Sequence, residues 1–176
     1  MLVKEKRPPA GDDGIEWMLL TNHPLQSRAD AELVLFGYTQ RWRIEQFHRT
    51  WKSICRVEET QLREATHVER WATVLAAVAM RLLRLTYLSR VQPDAPASEE
   101  LSQTEIFALI IEKGKGIYKL GDRITIAQAT QWIAELGGYV GPTPSGGPPG
   151  TTVLARGLRH LGFTAHAIAK VHEFTQ

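Results

Sequence analysis

The stretch YTQRWRIEQFHRTWK, Tyr38 to Lys52, decides how the rest of the chain is read. It holds no proline, and its apolar residues recur at helical spacing, which with the residues before it predicts one long helix from about Asp30 to Ser53 with Gly37 its only glycine. Turning 100° per residue from Tyr38, Arg41 falls at about 300°, Glu45 at about 340° and Lys52 at about 320°, so these four share one face. His48, near 280°, borders that face. Leu33, Phe36, Ile44, Phe47 and Trp51 fall at roughly 160–240°, on the opposite side, which predicts that one stripe anchors the helix and the other is displayed. Arg49 and Trp42 flank the displayed stripe.

Working outward, Ile15 to Thr21 (IEWMLLT) is a short apolar run closed by Asn22, His23 and Pro24, the pattern of a buried strand. Met1 to Gly14 mixes charge, prolines and glycines without periodicity and reads as a flexible leader. A second helix is expected from near Thr66, with Thr66 and Glu69 as a capping box, through Leu88. Gln92 to Ala97 (QPDAPA) reads as the heart of a linker over 92–100 that separates residues 15–91 from a helical domain over 101–176. Within that domain Ser102 and Glu105 suit a capping box for a helix ending near Lys113, and Thr125 to Leu136 suits a second, stopped by Gly137 and Gly138. Val140 to Gly150 (VGPTPSGGPPG) reads as an irregular surface loop. Its Ser145 to Gly150 portion lacks the lysine of a phosphate-binding loop. A last helix is expected from about Thr152, interrupted at Gly157 or Gly162.

A chain of 176 residues is long enough to bury a real core. The net charge of +2 says little about partners, but Arg41, Arg43, Arg49, Lys52 and Arg56 cluster with Glu45 as the only acid among them. One cysteine, Cys55, excludes an internal disulfide and a cysteine-zinc cluster. No stretch reads as a signal peptide, and Arg81 and Arg84 interrupt the most apolar run, Trp71 to Leu85, so the chain is read as soluble and cytoplasmic with no membrane partner.

The displayed face combines one carboxylate with cations and aromatics, a set suited to phosphate and metal together. Cutting a phosphodiester calls for a divalent ion to polarise it and activate water, and hard ions prefer carboxylate oxygens, which Glu45 can supply. Arg41 and Lys52 can hold backbone phosphates, and the Tyr38 hydroxyl can donate a further hydrogen bond. A Glu four residues from an Arg is equally a common surface ion pair, contributing about 0.3–0.5 kcal/mol, and helical geometry alone allows either reading. His160, His166 and His172 recur every six residues, which is not one helical face, and are read as incidental.

Tyr38, Arg41, Glu45 and Lys52 fit the spacing Y-x2-R-x3-E-x6-K, and with Trp42, Ile44, Phe47 and Trp51 around them the stretch resembles the Tyr-Arg-Glu-Lys signature of bacterial cut-and-paste DDE transposases of the insertion-sequence-four family, transposon-five type. The EWMLLT string sits where those enzymes carry the last strand of an RNase-H-like core. The resemblance implies a mainly α chain: the last strand and Glu-bearing helix of an RNase-H-like α/β core, followed by a helical dimerisation domain to which GGYVG and GPPGTTVLARGLRHL are loosely similar. It implies that Glu45 is the third acid of an Asp-Asp-Glu site for magnesium or manganese, and that Tyr38, Arg41 and Lys52 grip phosphates at the transposon end. Trp17 and Trp42 match tryptophans that stack on a displaced base or support a DNA hairpin. For Trp17, burial in the core is an equal alternative.

The two aspartates that complete such a site have no counterpart here, since Asp12 and Asp13 lie in the irregular leader and read as solvated loop acids. Tight metal binding and strand cleavage by this chain alone are therefore not expected. An isolated strand with open edges also invites association. The expected function is the C-terminal part of a DNA transposase, binding DNA and inactive alone. The alternatives are a non-catalytic protein that pairs with an intact transposase and inhibits it, as a homodimer or heterodimer former, and a split enzyme completed by another polypeptide.

Overall fold

The computed structural model describes residues 1–141 and 147–174, without the side chains of 172 and 174. The chain forms two compact units, Met1–Gln46 and Phe47–Gln176.

In the first unit, β1 (Leu2–Lys4) pairs antiparallel with β2 (Glu16–Met18), with Val3 opposite Trp17. The N-terminal ammonium donates to the Leu19 carbonyl at 2.8 Å, and Lys4 lies 2.8 Å from Glu16. The leader is thus partly ordered, contrary to its aperiodic sequence: LVK is too short to show an alternation, and its order comes from pairing with β2. The IEWMLLT run is not a buried strand either. Leu19 is buried, whereas Met18 is 81% and Leu20 96% exposed, because β1 is the one neighbour that β2 has among the described residues.

The helix predicted over Asp30–Ser53 begins earlier and is divided. α1 (Arg28–Thr39) starts at Ser27, whose hydroxyl accepts from the Asp30 amide while the Asp30 carboxylate accepts from the Ser27 amide, a complete capping box. The Ser27 hydroxyl and the backbone amides hold the Asp30 carboxyl below the usual carboxylate range. Gln40 interrupts the ladder, and α2 (Arg41–Arg49) follows. The chain then winds as one π-helical turn, Thr50–Ile54, closed by the Cys55 amide donating five residues back to Thr50. A count of 100° per residue therefore fails beyond Arg49. In the first unit the expected anchoring stripe is uncovered: Leu33, Phe36 and Ile44 are exposed, since two three-residue strands offer no layer broad enough to bury them.

The second unit is helical. α3 (Ala65–Val91) begins at Glu64, which places Thr66 inside the first turn and leaves the expected Thr66–Glu69 capping box unformed. By length and composition α3 is long and apolar enough to cross a membrane, which the interruption by Arg81 and Arg84 did not suggest. Its Leu82 and Leu85 are buried in the protein core, and Arg81 and Arg84 meet Glu105 and Glu100. α4 (Gln103–Lys113), α5 (Ile126–Leu136) and α6 (Thr151–Phe174) pack against one another around Leu109, Ile133, Leu154 and Leu161, and α5 and α6 also pack against α3. Pro96 bridges Thr125, so residues 92–100 are tied into this unit and do not divide it.

α6 is continuous through Gly157 and Gly162. A Cβ on Gly157 would stand 1.7 Å from the Ile133 carbonyl oxygen, and one on Gly137 would stand 2.0 Å from that of Val153. These two glycines let α5 and α6 touch backbone to backbone. The surface loop read over Val140–Gly150 is irregular where described, and its residues 142–146 lie outside the described residues.

α4 carries the expected capping box, in which Ser102 and Glu105 exchange hydrogen bonds. Burial disfavours the Glu105 carboxylate, but the Arg81 guanidinium at 2.8 Å and the Ser102 amide and hydroxyl outweigh it and hold its pKa below the ordinary 4.5. A depressed folded-state pKa contributes stability that is complete above the unfolded value and is lost as pH falls through the folded one. Thermal melts between pH 7 and 3 are expected to show wild type losing more Tm below about pH 4.5 than Glu105→Gln, which has no proton to take up there.

Candidate nucleic-acid interface

Three elements of the first unit bring Trp17, Tyr38, Arg41 and Glu45 together. β2 presents a half-buried Trp17, whose ring lies 5.1 Å from that of Tyr38 at a 60° tilt. Near the end of α1, Tyr38 is 38% exposed, and the Arg41 guanidinium lies 5.8 Å from its ring centroid, within cation–π range. Arg41, the first residue of α2, donates to the carboxylate of Glu45, one turn further on. Both side chains are about 60% exposed, at 59% and 60%, so their pairing holds them weakly and a phosphate can displace the acid at small cost. Trp17 is accordingly neither fully buried nor free: one side supports Tyr38. Trp42 is 49% exposed, with a face open for stacking.

The remaining residues belong to the second unit. Phe47 stacks on Trp51 at 5.9 Å, and the Trp51 indole donates to the Ala72 carbonyl at 3.1 Å, which fixes the π-helical turn to α3. Lys52, within that turn, meets Glu58 at 2.7 Å, a partner that the helical count did not anticipate because Glu58 lies beyond the π-helical turn. Arg49 has no acidic partner among the described residues and lines a groove with residues of α6. His48 contacts Phe47 and Trp51 through its ring. Cys55 is half-buried, and burial pushes its thiol pKa up. His160, read as incidental, stands 3.3 Å from Glu112, to which Thr164 also donates at 2.8 Å, so it serves the α4–α6 contact.

Residues 17–81 match the family model of the transposase DDE domain. The matched stretch is just over a third of the chain and takes in Trp17, Tyr38, Arg41, Trp42, Glu45, Arg49 and Lys52. Over this stretch the chain is similar to DDE transposases, whose domains generally use divalent metals and bind DNA.

The residues at Glu45 do not by themselves fit such a metal. A hard divalent ion takes several oxygen ligands, whereas Glu45 is the one carboxylate of its cluster and is engaged by Arg41. Among the described residues no group of three or more His, Cys, Asp or Glu side chains is placed to hold an ion. What the arrangement offers chemically is phosphate contact and aromatic stacking.

Proposed function

We propose that this chain is a transposase-related DNA-binding protein, corresponding to the C-terminal part of an insertion-sequence-four enzyme of the transposon-five type. The observation that carries this reading is the clustering of Trp17, Tyr38, Arg41 and Glu45 inside the stretch that matches the transposase DDE domain. In it, Tyr38, Arg41, Arg49 and Lys52 contact DNA phosphates, Trp17 and Trp42 support an unstacked base, and Glu45 is one acid of a site whose other two acids lie outside residues 1–176. β2 and α2 then correspond to the last strand and Glu-bearing helix of an RNase-H-like core, and the exposed Leu33, Phe36 and Ile44 are the side that the rest of such a core would cover.

Supercoiled plasmid incubated with the purified chain in magnesium or manganese tests this. The plasmid is expected to be retarded at low salt and to stay intact. Nicking that disappears in Glu45→Ala would mean a working site exists within this chain, and no retardation would remove the DNA-binding reading.

A second reading, a non-catalytic protein that pairs with an intact transposase and inhibits it, is favoured by the exposed stripe of Trp71, Val74 and Val78 on α3, which leaves apolar surface for another chain.

A further inference from the structure

The second unit holds a groove of about 260 Å³ where the end of α2 and the π-helical turn meet the first two turns of α6. Its polar lining is Arg49, Ser53, Thr151, Thr152, Arg156 and Arg159, and it contains no carboxylate. Several other cations of this unit are paired, although Arg63, Arg70, Arg90 and Arg123 also lie beyond ion-pair distance of an acid among the described residues. Lys52, Arg56, Arg81, Arg84 and Lys113 each lie within ion-pair distance of a glutamate. Arg49, Arg156 and Arg159 have no acidic partner among the described residues. Arg156 and Arg159, three apart on one helix, repel each other, and Arg49 adds a third positive charge to the same groove. The mutual repulsion of such a cluster is relieved when an anion occupies it.

We infer that this groove is a second phosphate-binding site that holds the sugar-phosphate backbone of DNA, separate from the Tyr38–Arg41–Glu45 cluster and resting on the DNA-binding reading above. Guanidinium groups bind phosphate oxygens bidentately, so three of them around one groove suit adjacent phosphates of a strand. The hydroxyls of Ser53, Thr151 and Thr152 add neutral donors. The groove is open and its arginines are exposed, which admits a polymer passing across it as readily as a small ion.

The test compares the full chain with Arg156→Gln/Arg159→Gln and with Arg156→Lys/Arg159→Lys, using duplex-oligonucleotide binding across a salt series and thermal melts with and without inorganic phosphate. For the Gln pair, duplex affinity is expected to fall about tenfold or more and the slope of log K against log salt to shrink by about 2, with Tm in the absence of ligand unchanged or raised as the repulsion is relieved. The Lys pair is expected to keep most of the slope. Several outcomes overturn the proposal. One is a Gln pair that binds DNA as wild type does while Arg41→Ala/Lys52→Ala weakens binding, which leaves the wider reading standing. Another is a Gln pair of lowered Tm, which would make the arginines structural. A third is a groove that is stabilised by inorganic phosphate in a chain that binds no DNA, which would make it a small-anion site and remove the wider reading as well.

Discussion

Gly157→Ala is expected to lower the stability of the helical unit by about 3 kcal/mol or more, because the added methyl would lie 1.7 Å from the Ile133 carbonyl oxygen and 2.7 Å from its carbon. The obstacle is backbone, not the end of a flexible side chain, so relief requires α5 and α6 to separate. Separation would loosen Leu154 and Leu161, which lie on the same face of α6 and are fully buried. In a chain of this size the destabilisation corresponds to a fall in Tm of roughly 6–12 °C. Gly162→Ala, five residues along the same helix, has no atom within 4 Å of the new Cβ. It is expected to raise stability by about 0.5–1 kcal/mol, since alanine restricts the unfolded chain and favours the helix. Thermal or denaturant melts of the two variants check both signs, and equal effects would contradict the close approach of α5 and α6.

Arg41→Ala combined with Lys52→Ala is expected to weaken duplex binding across all sequences and to reduce the salt slope by about 2, one for each phosphate that the variant no longer neutralises. Each cation meets an exposed glutamate in the free protein, Arg41 with Glu45 and Lys52 with Glu58. Exposed pairs of this kind contribute at most about 1 kcal/mol, so the double variant is expected to fold as wild type does. That separates the effect on DNA from an effect on the fold. The two pairs also explain how the free protein carries these cations without an anion bound: a glutamate stands in until a phosphate replaces it. A variant with unchanged affinity and slope would show that the Tyr38–Lys52 stretch does not face DNA.

Helices whose ends are written in side chains were legible in the sequence. Ser102 with Glu105 caps α4 as the sequence predicts, and α5 ends at Gly137 as expected, with Thr125, predicted to be its first residue, serving as its N-cap. Thr66 with Glu69 carried the same pattern but stands inside α3, because the chain enters the helix at Glu64, so a capping pattern alone does not fix a boundary. Ser27 with Asp30 was the missed signal at the start of α1, where Asp fills the place usually sought as Glu. β1 is hidden in the sequence because three residues are too few to show alternation, and the burial expected for Ile15 to Thr21 fails because a strand's covering depends on partners that the fold supplies. Gly157 looked like a break and is instead a point of close approach, a distinction that requires the neighbouring helix.

The site divides in the same way. Arg41 and Glu45 lie four apart and meet as helical spacing dictates, so the ion pair and the displayed face were both readable, while the ring of Trp17 against Tyr38 depends on β2 and α1 folding together. The π-helical turn has no signature in the residue types of Thr50–Ile54, and it invalidated the angular placement of Lys52. Nothing in the sequence links Arg156 and Arg159 to Arg49, because their shared groove depends on α6 lying beside the π-helical turn.

The most direct measurement is duplex-DNA affinity of the wild-type chain across a salt series from about 50 to 200 mM, a range over which phosphate contacts weaken steeply. A linear fall of log K against log salt, with a slope corresponding to several phosphates, is the expected result. Absence of binding at the low-salt end, or an affinity indifferent to salt, would contradict a DNA-binding role for this protein.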